Sequence, residues 1–256
     1  MEFFPFASLT IAGTPVLLWS LAFAAIIILG ISKGGIKGIS VILITMMVYV
    51  YGGKGSTAVL MPLLIVADLL AIIYYRKHVQ WHYLVKLLPA MLAGVLLGTI
   101  IGKELPEELF KQGMIGIILL SVVILIYWEK YPPKKVPDNW VFSSFLGLAA
   151  GVTTMIGHLA GPFANIYFLS MRMPKNEFIG TVAWLFFLVN FIKLPIHIFY
   201  WKTVNQESFI QSLSLLPALF IGFTIGAYFV KSIRDQSYRK MIIIITGVGA
   251  LVLLFK

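Results

Sequence analysis

From Thr57 to Tyr75 the chain carries one charged side chain, Asp68, and from Tyr83 to Ile101 again only one, Lys86. Runs of about 20 apolar residues are what a hydrocarbon core of roughly 30 Å demands of a spanning helix. In lipid each run satisfies its own backbone N–H and C=O groups by forming a helix. The reading is therefore an all-α, polytopic membrane protein. Composition agrees: 12% of the residues are charged, against about 25% in soluble domains.

The net charge of +10 does not point to nucleic acid, because the basic residues lie in short loops between apolar segments and not on one polar face. No cysteine is present and the four histidines are scattered, which argues against disulfides, thiolate metal sites and a structural zinc. No metal or cofactor is expected. The start, Met1-Glu2-Phe3-Phe4-Pro5, lacks the basic n-region of a signal peptide, so the first apolar run is read as part of the mature protein.

About ten apolar helical segments follow from the breaks in hydropathy. They are Pro15–Gly30, Ile36–Tyr51, Thr57–Tyr75, Tyr83–Ile101 and Phe110–Trp128, then Trp140–Ile156, Phe163–Met171, Phe178–Tyr200, Phe209–Val230 and Tyr238–Phe255. A polar linker with three prolines, 129–138, divides them five and five. Leu87-Leu88-Pro89-Ala90 with Gly94, Gly98 and Lys103 recurs at identical spacing as Leu215-Leu216-Pro217-Ala218 with Gly222, Gly226 and Lys231. Asp68 and Asn190 hold comparable places in the third segment of each half. The expectation is a first repeat over 1–128 and a second over 139–256. An odd number of crossings per half inverts the second relative to the first, the architecture of many secondary transporters. Gly94 and Gly98 form a small-xxx-small face suited to close helix packing.

Alternating sides along the chain puts twelve basic residues on one side and five on the other. The positive-inside rule makes the richer side cytoplasmic, with both termini extracytoplasmic in the cell (inner) membrane. Three lysines fit neither side: Lys33, Lys37 and Lys193. A charge at mid-bilayer costs about 3 kcal/mol or more and so should face a partner or a cavity.

Lys33 and Lys37 belong to the glycine-rich stretch Gly30–Gly38, which joins two apolar arms, neither of full spanning length. One reading is a surface loop whose lysines snorkel to headgroups. The other is a broken or re-entrant hairpin that meets its counterpart at Gly157–Pro162 near the midplane. In the second reading, positive helix ends and free backbone N–H groups converge as an anion site. Candidate substrate-binding residues are then Lys33, Gly34, Gly35, Lys37, Gly157, His158, Gly161, Asn190 and Lys193. Asn190, Lys193 and His197 share a helical face. Asp68, the one carboxylate inside an apolar segment, is either a structural ion-pair partner of Lys33 or Lys193 or a proton-linked group. Asn165 reads as a helix–helix hydrogen-bonding group.

At these residues the chain resembles the sulfite exporter TauE/SafE family of membrane permeases. The resemblance is carried by Gly30-Ile31-Ser32-Lys33-Gly34-Gly35, Ala67-Asp68-Leu69 and Tyr75-Arg76-Lys77-His78-Val79. In the second half it rests on Gly161-Pro162, Met173-Pro174-Lys175-Asn176-Glu177-Phe178 and Asn190-Phe191-Ile192-Lys193-Leu194. It covers essentially the whole chain. Lys37 departs from the family's glycine-rich run, and Lys193 stands where Arg is common; both keep positive charge. The resemblance implies a transporter of sulfite, organosulfonates or related sulfur anions in the lipid bilayer, working by alternating access. An anion channel, or a membrane-embedded enzyme using His158 or Asp68, are the rival readings. No catalytic constellation is legible, and a homo-oligomer is left open.

Overall fold

The computed structural model describes residues 10–106 and 139–235, with scattered positions between 108 and 131 and between 237 and 245. The expected fifth and tenth segments and the 129–138 linker lie largely outside the described residues. After a two-stranded antiparallel turn, β1 (Thr10–Ile11) and β2 (Thr14–Pro15), every described element is helical. They are α1 (Val16–Gly34), α2 (Ser40–Tyr51), α3 (Gly53–Tyr75), α4 (Trp81–Glu104), α5 (Trp140–Gly157), α6 (Ala160–Ser170), α7 (Lys175–Pro195) and α8 (Gln206–Ser232). A π-turn, Ile196–Tyr200, continues α7.

Six of these helices are long and apolar enough to cross a membrane; α2 and α6 are not among them. At 12 and 11 residues they reach about 18 Å, short of the roughly 30 Å core. Each follows directly on a longer helix, α1 or α5. The chain is thus a multi-pass membrane protein whose apolar surface faces outward: Leu96, Ile100, Val141, Phe199 and Tyr228 are all exposed. This is the residue pattern of a helix wetted by lipid.

Two close crossings hold the bundle. In the first, α4 meets α5: a Cβ placed on Gly94 would lie 2.2 Å from the Leu148 carbonyl oxygen, and one on Gly151 would lie 2.0 Å from that of Met91. In the second, α1 meets α8: a Cβ on Gly30 would lie 2.4 Å from the Leu219 carbonyl oxygen, and one on Gly222 would lie 2.0 Å from that of Ile27. Only hydrogen fits at these contacts, which is why helices in lipid, lacking a hydrophobic drive to associate, place small residues there. In order of the described helices, one crossing joins the fourth to the fifth and the other the first to the eighth. Helices α3 and α7 pack between the crossings and carry the charged centre.

Candidate functional site

Helix α1 ends four residues later than its hydropathy suggests, so Lys33 sits in the last helical turn and not in a loop. The cause is local. Gly35, at φ 136°, caps the helix by donating its N–H to the Ile31 and Ser32 carbonyls, a backbone conformation that glycine adopts without strain. A cation there also lies at the negative end of the helix dipole. Two tyrosine hydroxyls hold the carbonyls at this end: Tyr75 donates to Gly34 O at 2.7 Å and Tyr238 to Gly35 O at 2.5 Å.

From this turn the Lys33 ammonium makes an ion pair with Oδ1 of Asp68 on α3 and lies 4.9 Å from the centre of the Phe186 ring. The other carboxylate oxygen, Oδ2, accepts from Asn190 Nδ2 at 2.8 Å. Asp68 is 0% exposed, and both its oxygens are engaged. Of the two lysines within its expected reach, Asp68 pairs with Lys33 and not with Lys193. The Asp68–Asn190 bond ties α3 to α7.

Helix α5 ends differently. His158 is the cap, in the left-handed conformation at φ 57°, and α6 restarts two residues on. Its ring is fixed from both sides. Nδ1 lies 3.1 Å from the Lys193 ammonium and Nε2 lies 3.3 Å from the Thr57 carbonyl. An ammonium only donates and a carbonyl only accepts, so these contacts specify the neutral ring with its proton on Nε2. Lys193 also donates to Thr154 O at 2.6 Å and to Thr154 Oγ1 at 3.1 Å. All three of its donors are thereby used, and every partner is neutral. Lys193 is 0% exposed, near the end of α7, where Pro195 and the π-turn break the regular pattern. Such π-turns recur at functional positions.

The two breaks come together. A cavity of about 60 Å³ is lined by Ser32, Lys33, Lys37, Gly38 and Ser40 from the first break and by Thr154, His158, Gly161 and Asn165 from the second, with Asn190 and Phe186 from α7. The start of α6 approaches the start of α2: a Cβ on Gly161 would meet Ser40 Oγ at 3.5 Å. Lys37, between the helices of the first break, is buried, yet its ammonium has no hydrogen-bond or ion-pair partner among the described residues. Three lysine side chains and one carboxylate therefore meet at or beside one small cavity, and among the described residues only Lys33 is paired with the carboxylate. The sequence profile of the family described as "Sulfite exporter TauE/SafE" matches residues 21–253. The chain belongs to that family. No match was found among curated proteins or among solved structures.

As a TauE/SafE member, the chain is a multi-pass protein of a membrane-transporter family. Of the candidate residues, Lys33, Lys37, His158, Gly161 and Asn190 line the cavity, and Lys193 stands behind His158. Gly34, Gly35 and Gly157 do not line it. Gly34 packs on α8, where a Cβ would lie 2.5 Å from the Phe223 carbonyl oxygen, and Gly35 serves as the cap. His197, on the same face as Asn190 and Lys193, points away from the cavity. Its Nδ1 lies 2.9 Å from Thr203 Oγ1, and its ring stacks on His158 with centroids 6.1 Å apart.

Ser40, Thr154 and the Thr57 carbonyl have no signature in the sequence, since hydroxyl residues and carbonyls in apolar runs give no pattern to follow. Asn165, read as a helix–helix group, lines the cavity instead.

Proposed function

We propose that this protein exports a small sulfur oxoanion, sulfite or a compact organosulfonate, by alternating access, with the anion held in the cavity between the two breaks. The observation that carries this reading is the Lys37 side chain, which lines the cavity with no hydrogen-bond or ion-pair partner among the described residues. A buried cation without a counter-charge is costly, and an anion supplies the missing partner. Lys37 and the Ser40 and Asn165 side chains contact the anion directly. Lys33 stays paired with Asp68, and Lys193 adds positive potential through His158. The first turns of α2 and α6 add N–H groups and positive dipole ends.

The cavity's free volume of about 60 Å³ has room for only a few water molecules, each needing about 10–15 Å³ on that measure. That size favours a compact oxoanion over one with a long organic chain. Export needs no coupled ion where the interior is negative, since the potential supplies about 2.3 kcal/mol per charge per 100 mV. The inverted-repeat reading is supported by the reciprocal crossings α1–α8 and α4–α5 and by the Asp68–Asn190 bond between corresponding segments. On that reading the halves 1–128 and 139–256 rock against each other around the fixed site, and no catalytic step is involved.

The test is sulfite counterflow in proteoliposomes for the native chain and Lys37→Met. The expected result is saturable exchange for the native chain and loss of it in the variant. Normal exchange by Lys37→Met sinks the reading, and non-saturating conductance without counterflow identifies a channel instead.

A further inference from the structure

A second concavity lies on the outside of the bundle, away from the central cavity. It is a crevice of about 480 Å³ between the end of α3 and the face of α8, lined by Arg76, Lys77 and His78 above and by Leu70, Ile73, Tyr74 and Phe223 below. Its parts differ sharply in chemistry. Arg76, Lys77 and His78 are exposed, and their side chains have no hydrogen-bond or ion-pair partner among the described residues. The lower wall is apolar and faces outward: Ile73 is 65% exposed and Tyr74 54%. The Tyr74 and Phe223 rings meet edge to face, with centroids 6.1 Å apart, and form its floor.

The nearby charges of either sign are already committed. Lys175 donates to the Val230, Lys231 and Ile233 carbonyls that close α8. Glu177 accepts from Gln80, and Asp235 accepts from the Lys175 backbone N–H. Neither carboxylate is thus paired with Arg76 or Lys77. What remains is a free basic rim directly above an apolar slot that opens toward the bilayer.

We propose that this crevice binds one anionic phospholipid, its phosphate on Arg76 and Lys77 and an acyl chain along Ile73 and Leu70 over Phe223. The shared chemistry of a negatively charged phosphate also fits free inorganic phosphate, but a free ion has no use for the apolar slot. Basic pockets between membrane helices at the interface are suited to such headgroups, and Arg holds a phosphate with paired hydrogen bonds. The site lies apart from the residues proposed to hold sulfite, so it stands whether or not sulfite is the substrate.

The experiment is native mass spectrometry of the purified full chain titrated with phosphatidylglycerol, with phosphatidylcholine as the neutral control. The native chain should retain one phosphatidylglycerol preferentially. Arg76→Gln with Lys77→Gln should bind it roughly thirtyfold more weakly, the loss expected for two interfacial charges. Ile73→Ser should also weaken it, since the slot holds the chain. Elution of each variant as a single species on size-exclusion chromatography checks that it is folded. Equal retention of phosphatidylglycerol by the double variant overturns the proposal. So does full displacement of the lipid by millimolar inorganic phosphate, or an unchanged affinity in Ile73→Ser, because either would make this an ion site. Sulfite counterflow measured in phosphatidylcholine vesicles should be the same for the native chain and Arg76→Gln/Lys77→Gln. Absence of flux in both would count against the transport reading alone, while lipid retention would still decide this one.

Discussion

The first break extends from Gly35 to Ile39, has two tyrosine hydroxyls holding the carbonyls at its start, and carries Lys37, with Lys33 in the helical turn just before it. The second consists of His158 and Leu159 alone, carries no cation, and draws on Lys193 from α7. Both interrupt a helical run, and both lead into a short helix whose first turn faces the same cavity. They differ in how charge is answered. At the first, Lys33 is neutralised by Asp68 and Lys37 is left open. At the second, an ammonium is shared among the Thr154 carbonyl, the Thr154 hydroxyl and the neutral His158 ring. A buried lysine with a carboxylate partner holds structure together, whereas one without a partner calls for an anion. Position in the glycine-rich stretch does not separate the two; the partner does.

Substitutions that break this contrast should rank by the change in stability they cause. Asp68→Ala strands the Lys33 ammonium and the Asn190 amide together, and should cost about 3–5 kcal/mol. The expected readout is a large drop in thermal unfolding temperature in detergent. Replacing both partners, Lys33→Met with Asp68→Asn, should recover at least half of it. A mild single variant would mean that the pair is not structural.

Gly34→Ala comes next, since overpacking against α8 costs about 1–3 kcal/mol. Gly161→Ala, with its nearest neighbour at 3.5 Å, should leave stability unchanged within about 0.5 kcal/mol. Equal losses in the two would show that the breaks do not differ as described. His158→Ala leaves one Lys193 donor without its partner, for about 1–3 kcal/mol. Circular dichroism melts on His158→Ala and His158→Asn compare the ring's hydrogen-bonding role with its bulk, and Asn should recover part of the loss. Lys37→Met should be the smallest, neutral or slightly stabilising, because it removes an uncompensated charge. The same variant should lose sulfite binding by isothermal titration calorimetry. A strongly destabilised Lys37→Met would place Lys37 on the structural side of the comparison.

The spanning helices are legible in the sequence because a bilayer leaves an apolar run few alternatives. The charged centre is legible in part, since intramembrane ionisable residues are scarce enough to be noticed one by one. What the sequence does not carry is direction and partner. Lys33 resembles a loop residue because glycines follow it, yet Gly35 caps a helix that contains it. Lys33 and Lys37 look equivalent in sequence, and only the position of Asp68 on α3 tells them apart. Gly34 reads as an anion contact, although Gly30 and Gly34 are spaced four apart as Gly222 and Gly226 are. That shared spacing is the signal for the α1–α8 crossing. The matching pair Gly147 and Gly151 marks α4–α5 in the same way.

The α1–α8 crossing sets an order on assembly. Helix α1 leaves the ribosome early, but the glycine face it must seat against, around Gly222, follows roughly 190 residues later. At about 5–20 residues per second, α1 waits roughly 10–40 s for its mate. The Gly35 carbonyl waits longer still for the Tyr238 hydroxyl. Until then the glycine face of α1 must be held by the insertion machinery or by lipid. Synthesis halted before α8 therefore leaves a first helix with no seat, a product for the cell's quality control and not a smaller working transporter.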